Sequence, residues 1–373
     1  MTARHYISHL RLTDFRNYSA LDLELSGAPV VLFGPNGAGK TNLLEAISLL
    51  SPGRGLRRSK LEVLARKDGE TQALAWGVNA QLLSGDDDYK LAIGQLPETP
   101  GRRVVRLDGK SVSAADLAAH VTMFWLTPDQ DPLFRGPASD RRKFLDRFTL
   151  MQSPDHGGHI VAYEKLRSER NRLLGEGIED YIWYEALETD MADFSTRIAY
   201  ARAETVNRLM DEIDRRDEGA FPKARIALEG EMEEQIQSGI DPDAVRVGQR
   251  AMWADTRRAD LRAGRTLRGV HRSDLKVTHR EKDMPAEHCS TGEQKALLIG
   301  LMLAQARAQA DKNPFLLLDE VAAHLDEHRR AALIEELIEL GTQVIMTGTD
   351  ASLFEAFDGR AELFEVRDGA ITA

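Results

Sequence analysis

Cysteine is nearly missing from this sequence. Cys289 stands alone among 373 residues, so the chain can close no internal disulfide and nothing in it speaks for an oxidising compartment. Long apolar runs are missing as well: stretches such as Phe315-Leu316-Leu317-Leu318 are strand-sized, against the roughly 20 residues a bilayer-spanning helix takes. The opening MTARHYISHL has no apolar core of the kind a secretion signal carries, so the expected compartment is the cytoplasm, with no membrane partner. There is no excess of positive charge. A net charge of −11 excludes a protein that coats nucleic acid over its whole surface, but leaves room for a local basic face. No zinc spacing, aromatic RNA-reading motif or helix-turn-helix signature occurs, so base-specific readout is not expected.

What is present suits a soluble globular chain: 42% hydrophobic and 29% charged residues are enough to bury a core. The length exceeds one ordinary core and implies two domains, or one domain with a large insertion. The first part reads as β structure, then Val30-Val31-Leu32-Phe33 runs into a glycine-rich turn, and Leu43, Leu44, Ile47 and Leu50 follow at helical spacing. Residues 74–112 read as a β meander with turn signals at Gly85-Asp86-Asp87-Asp88 and Asp108-Gly109. That acidic triplet is read as a solvated hairpin tip and not as a metal ligand set.

The character changes after about residue 135. Tyr184, Leu187, Met191, Phe194, Ile198 and Ala201 recur at steps of three and four, and Leu209 and Ile213 continue the stripe, so a long helix should pack along another. Its partner is either the stretch 160–174 or a helix around 243–261, in an ordinary bundle or a projecting arm. Residues 264–277 return to β structure. A capped helix from Ser290, a buried strand at 315–318, a helix at 327–340, a strand at 343–346 and a hairpin around Asp368-Gly369 follow. The expected fold is α/β: a head from residues 1–135 and 265–373, with a helical, coiled-coil-like lobe inserted at 136–264.

Three motifs carry chemistry. Gly34-Pro35-Asn36-Gly37-Ala38-Gly39-Lys40-Thr41 fits the Walker A pattern at every fixed position, with a strand before it and a helix after. Its glycines let backbone N–H groups close on phosphate oxygens, Lys40 supplies charge to the β and γ phosphates of ATP, and Thr41 offers a hydroxyl to Mg²⁺. The strand 315–318 ends in Asp319, placed for the Mg²⁺ shell, and Glu320, placed to polarise the attacking water. Alone such a strand end is commonly structural; next to a Walker A loop it reads as the second half of an ATPase site. Ser290-Thr291-Gly292-Glu293 is a capping box, and a helix start is also an anion site. Facing a γ-phosphate held by a second chain, it would make ATP the glue between two subunits.

Together with Leu325-Asp326 just past the acidic strand, these pieces resemble the ATP-binding-cassette class, and within it the RecF family of bacterial DNA replication and repair ATPases. The matching stretches are 10–18 (LRLTDFRNY), 126–129 (LTPD), 141–146 (RRKFLD), 271–275 (HRSDL), 290–298 (STGEQKALL) and 347–350 (TGTD), from end to end of the chain. Val270 and Cys289 depart from the family pattern, which has proline and leucine there. The resemblance implies a dimer sandwiching two ATPs, slow hydrolysis, DNA binding in the ATP state, and recombinase loading at gaps with RecR and RecO. It places Ser290 and Gly292 on the partner's nucleotide, Asp326 in the crossing loop, Asp129 near the metal and water, and Arg16 near the nucleotide. The histidine that often follows the last core strand in transporter ATPases is absent, and Thr347 and Thr349 occupy that region.

Three basic runs are candidates for DNA phosphates: Arg54, Arg57, Arg58 and Lys60 first, then Arg102, Arg103 and Arg106, then Arg141, Arg142 and Lys143. Each is equally readable as a solvated face. The competing function is the ATPase subunit of a membrane transporter, which shares the three ATP motifs; the long helical insertion and the missing histidine count against it.

Overall fold

The structure is a computed structural model that describes residues 5–372, the side chains of Ala115 and His324 excepted. Its chain divides into two compact units. One comprises residues up to 131, 219–221 and from 306 onward; the other comprises 132–218 and 222–305.

The first unit holds two six-stranded sheets. In the core sheet Met123–Leu126, Phe315–Leu318, Val344–Gly348, Val30–Phe33 and Glu362–Arg367 run parallel in that spatial order, and Ala370–Thr372 closes it with an antiparallel hairpin. Phe315–Leu318 is buried at every position because it is an inner strand of a parallel sheet, which explains its unbroken apolar run. The second sheet is antiparallel, in the order Tyr18–Glu24, His5–Phe15, Trp76–Ser84, Asp87–Gln95, Val104–Leu107, Lys110–Ser111. Here burial alternates, as in Trp76–Ser84, because one face is covered and the other is wet. The acidic triplet Asp86-Asp87-Asp88 lies exposed at a hairpin tip, as the turn signals predict.

The helix Lys40–Ser48 lies within this unit's core with Leu43, Leu44 and Ile47 sealed in, each worth about 1.5–3 kcal/mol of burial. Gln343 ties the two sheets: its side-chain amide donates to the Ile7 carbonyl (3.1 Å) and its carbonyl oxygen accepts from the Ile7 N–H (2.8 Å).

The second unit is built on the 35-residue helix Tyr181–Arg215, opened by the Asp180 side chain accepting from the Trp183 N–H (3.0 Å). Its apolar stripe takes both candidate partners. Tyr184 and Leu187 cluster with Leu173 and Leu174 of His156–Gly175, while Met191 and Ile198 cluster with Val245 and Trp253 of Pro242–Ala263. The result is a three-helix bundle. Inside it Arg170, fully buried, donates to Glu188, Asp260 and Thr266, and Glu188 also receives Arg257. The unit also contains Ala138–Gln152, Glu231–Gln237, residues 291–305 of the helix Thr291–Ala308, and a small sheet of Ala224–Glu229, Asp274–His279 and Met284–Pro285.

This division differs from the expected one at residues 265–305, which group with the helices and not with the loop and acidic strand. The reason is strand pairing. Asp274–His279 zips along Ala224–Glu229, and Arg141 of Ala138–Gln152 grips Asp274. Among the described residues no helix is long and apolar enough to cross a membrane.

Candidate functional site

The phosphate loop leaves the end of Val30–Phe33. Gly34 takes φ 146° and Gly39 φ 118°; a Cβ at Gly34 would run into the Val366 carbonyl, and one at Gly39 into the Asn17 and Tyr18 side chains. Both places require glycine. The loop is braced from behind. Asn17 Nδ2 and the Gly369 N–H both donate to the Ala38 carbonyl (3.0 Å each), the Tyr18 hydroxyl donates to the Gly39 carbonyl (3.0 Å), and Asn42 Nδ2 donates to Asn17 Oδ1 (2.8 Å). With carbonyls drawn inward, the N–H groups at the start of Lys40–Ser48 have no helical acceptor and are left for an anion. At the helix's other end the Arg103 guanidinium donates to the carbonyls of Leu49, Ser51 and Gly53, and its burial draws its pKa down to about 10.

Lys40 is 4% exposed. Its ammonium donates to the carbonyls of Gly34 (2.6 Å) and Pro35 (3.0 Å), so the charge is held at the mouth of the loop. Burial lowers its pKa, and the carboxylates of Glu320 and Asp319 pull the other way.

The acidic strand arrives beside this loop by register. Leu318 pairs with Met346 and with Leu126, so the next residue, Asp319, meets Thr347 on one side, while its N–H donates to the Leu126 carbonyl (2.8 Å) on the other. Asp319 Oδ1 accepts two hydroxyls, Thr41 Oγ1 at 3.0 Å and Thr347 Oγ1 at 2.8 Å; Oδ2 takes no hydrogen bond among the described residues. Burial raises the Asp319 pKa, the two hydroxyls oppose that, and neighbouring Glu320 adds to it. Glu320 turns the chain at φ 52°, a left-handed conformation for a residue with a side chain, and its N–H donates to Thr347 Oγ1 (2.9 Å). Lys40, Thr41, Asp319 and Glu320 therefore come together at the mouth of the loop. Thr347 joins them as a fifth member, which the sequence showed only as part of the stretch 347–350 and of the region where a transporter histidine is absent.

A divalent cation fits this donor set. Thr41 has spent its proton on Asp319 and keeps lone pairs, Asp319 keeps Oδ2, and both are the hard oxygen donors Mg²⁺ takes while retaining water and phosphate ligands.

The chain matches the RecF/RecN/SMC N terminal domain family over residues 6–372. It is 49% identical to the DNA replication and repair protein RecF of Mesorhizobium japonicum, with 100% of this chain and 98% of that protein covered. With RecF of Caulobacter vibrioides the identity is 48%, over 97% of each chain. The chain belongs to the RecF family. The fold agrees. A solved structure of the recombination mediator protein RecF-ATP in the RecFOR pathway superposes with a TM-score of 0.83 at 24% identity, covering 100% of this chain and 98% of that one. An Smc head domain from Pyrococcus furiosus gives 0.56 at 18%, covering 99% and 95%. The chain is thus an ABC-type P-loop fold of the RecF kind.

The remaining candidates divide sharply. Ser290 and Gly292 lie exposed at the start of Thr291–Ala308, in the second unit. Ser290 Oγ and N–H both donate to Glu293 Oε2 (2.8 and 2.9 Å), and the Lys282 ammonium with this cap holds the Glu293 pKa down to about 2. Asp326, exposed, caps Glu327–Leu340 by accepting from the Arg329 N–H (2.8 Å), which lowers its pKa. Asp129 stands exposed on the turn Pro128–Gln130 that follows the strand neighbouring Phe315–Leu318.

Several charged residues have other employment. Arg16 is bonded to Glu45 and Ser59. Arg57 donates to Asn42 (2.7 Å) and Glu45 (3.3 Å), which takes it partly out of the first basic run; Arg54, Arg58 and Lys60 remain exposed. Arg103 is the helix clamp just described. Arg141 grips Asp274 and Arg142 donates to the Ser273 carbonyl (2.6 Å), so the third run is largely architectural. The family stretches 141–146 and 271–275 thus meet each other inside the second unit, and each is tied further: Asp146 receives Arg202 and His156, and His271 bonds Tyr163.

Proposed function

We propose that this chain is an ATP-dependent DNA-binding protein of recombinational repair and replication restart. In this reading it binds Mg²⁺·ATP, dimerises through it, hydrolyses it slowly in response to DNA, and helps load recombinase at gaps with RecR and RecO in the cytoplasm. The observation that carries the reading is the meeting of Thr41 with Asp319, next to Lys40, at the mouth of a loop whose N–H groups are left for phosphate. Full-length identity near one half with RecF proteins supports the repair role.

The roles follow from chemistry. N–H groups at the start of Lys40–Ser48 and the Lys40 ammonium neutralise the phosphates, with Lys40 exchanging carbonyl partners for charged oxygens, a stronger pairing. Thr41 and Asp319 would hold Mg²⁺, which when bound would draw charge from the γ-phosphate, and Asp129 would serve the metal and the attacking water. Glu320 orients a water molecule and takes its proton as the oxygen attacks the γ-phosphorus, the bond to the bridging oxygen breaks, and ADP leaves. Ser290 and Gly292 of a second copy close over the γ-phosphate, with Asp326 in the crossing loop. Arg54, Arg57, Arg58 and Lys60 meet DNA phosphates.

The test uses two variants of the full chain. Lys40→Ala should lose ATP binding in calorimetry together with nucleotide-dependent DNA binding, while remaining folded. Glu320→Gln should keep ATP and accumulate as an ATP-bound dimer in sedimentation, because an amide cannot take the proton. Normal ATP affinity in the first variant, or parent-rate hydrolysis in the second, would overturn the assignment.

A further inference from the structure

Thr347 does two things with one hydroxyl. Its proton goes to Asp319 Oδ1 (2.8 Å) and its oxygen receives the Glu320 N–H (2.9 Å), so it bridges the two carboxylate residues that close the acidic strand. The side chain is fully buried and lies on Val344–Gly348, the strand between Phe315–Leu318 and Val30–Phe33, paired with Leu32 of the latter. That strand pairs with both the acidic strand and the strand feeding the phosphate loop.

We propose that Thr347 is a positioning residue for ATP hydrolysis: it fixes the Asp319 carboxylate against Thr41 and locks the left-handed turn that presents Glu320. This rests on the ATPase reading given above.

Two features make the hydroxyl necessary. First, Asp319 has a choice of rotamers. Two hydroxyls converging on the same Oδ1, from Thr41 on one side and Thr347 on the other, select the one that leaves Oδ2 open. With Thr41 as the sole partner, the carboxylate can rotate about a single contact. Second, Glu320 at φ 52° holds a backbone conformation that residues with a Cβ seldom adopt, and it needs an outside partner to persist. The Glu320 N–H finds that partner in Thr347. Along this strand the N–H groups alternate sides, those of Phe315 and Asp319 going to Thr122 and Leu126 and that of Leu316 to Gln343, so the Glu320 N–H faces Val344–Gly348 and takes the Thr347 hydroxyl there. Valine matches threonine in shape but supplies neither bond, whereas serine supplies both.

The experiment compares Thr347→Val, Thr347→Ser and Thr347→Ala with the parent chain. It measures steady-state ATP hydrolysis, ATP binding by calorimetry with Mg²⁺ and with EDTA, and the Mg²⁺ concentration for half-maximal ATP binding. Loss of the two bonds in Thr347→Val should lower kcat about ten- to hundredfold with a smaller change in KM, and raise the Mg²⁺ half-point about tenfold. ATP affinity in EDTA should stay at the parent value, since Lys40 and the loop are untouched. Thr347→Ser should bring both quantities back to within about threefold. Thr347→Ala carries the same test without β-branching, so a Thr347→Val chain that fails to fold does not remove it. A parental Mg²⁺ half-point and kcat in both Val and Ala variants would overturn the proposal, as would equal damage in the Val and Ser variants, which would point to packing of the methyl group. A parent chain that binds Mg²⁺·ATP without hydrolysing it would sink the hydrolysis reading, while the Mg²⁺ half-point would still decide the role of Thr347 at Asp319.

Discussion

Arg16 and Glu45 form a two-pronged ion pair, Nε to Oε2 at 2.8 Å and Nη2 to Oε1 at 2.8 Å, with Glu45 only 1% exposed on the helix that begins at Lys40. A carboxylate sealed in a core costs several kcal/mol unless a cation and further donors accompany it. Arg57 and Ser59 supply the rest. Arg16→Met should therefore destabilise the chain by about 3–5 kcal/mol in urea unfolding, because the charge on Glu45 stays behind. Arg16→Met with Glu45→Leu should recover much of that loss. If Arg16→Met instead unfolds like the parent but binds ATP weakly, the arginine serves the nucleotide and its pairing with Glu45 is incidental.

That pair also marks the limit of what could be read in advance. Lys40, Thr41, Asp319 and Glu320 were legible because each motif lies in a contiguous stretch whose chemistry survives without knowledge of the fold. So was the long helix, since the stripe from Tyr184 to Ile213 is a property of one helix face. Glu45, Arg103 and Thr347 were not legible. Glu45 looks like any polar helix residue until Arg16 arrives from a hairpin 29 positions away, and Arg103 looks solvated until three carbonyls surround it. Thr347 acts only through strand register. The grouping of residues 265–305 with the helices has no local signal either, because the pairing of 274–279 with 224–229 is long-range.

Arg54, Arg58 and Lys60 stay exposed and Arg57 is partly tied, which sharpens the DNA prediction. Changing Arg54, Arg58 and Lys60 together to Ala should weaken duplex binding similarly across sequences. The slope of log affinity against log salt should fall by roughly 0.9 for each phosphate contact removed. Arg57→Ala alone should change that slope less, since its guanidinium also serves Asn42 and Glu45. An unchanged slope in the triple variant would make this run ordinary surface and turn attention to Arg102 and Arg106.

His271 gives a pH signature. Its Nδ1 lies 2.8 Å from the Tyr163 hydroxyl and its Nε2 3.2 Å from the Thr266 carbonyl, an arrangement that suits a neutral ring donating through Nε2. Burial, with Arg167, Arg272 and Arg142 near by, drives its pKa down to about 3. The unfolded ring protonates near pH 6.5 and the folded one does not, so protons favour the unfolded state between those values. Stability should fall as pH drops through this window, by at most about 1.4 kcal/mol per unit from this group. His271→Gln should flatten the difference between urea midpoints at pH 5 and pH 7.5. An identical difference in parent and variant would mean that the ring titrates normally in the folded chain.

Ser290 supplies the test that separates a dimer mechanism from a self-sufficient ATP site. It belongs to a different compact unit from Lys40, and its hydroxyl and N–H begin an exposed helix whose cap is already closed by Glu293. The Thr291 and Gly292 N–H groups beyond that cap have no helical acceptor and can take an anion from outside. Ser290→Arg fills that entrance with a bulky side chain far from the loop in sequence, so ATP binding by the monomer should remain close to the parent value in calorimetry. ATP-induced dimerisation in sedimentation should disappear, and hydrolysis should fall with it. Mixing Ser290→Arg chains with Lys40→Ala chains then tests where the two elements meet. If they meet in trans, the mixed dimer has one site with both elements intact and one with both broken. If they meet in cis, every site carries one defect. Partial return of hydrolysis in the mixture is therefore expected only for the trans arrangement. Normal dimerisation of Ser290→Arg with ATP would reduce this cap to helix architecture and place the interface elsewhere.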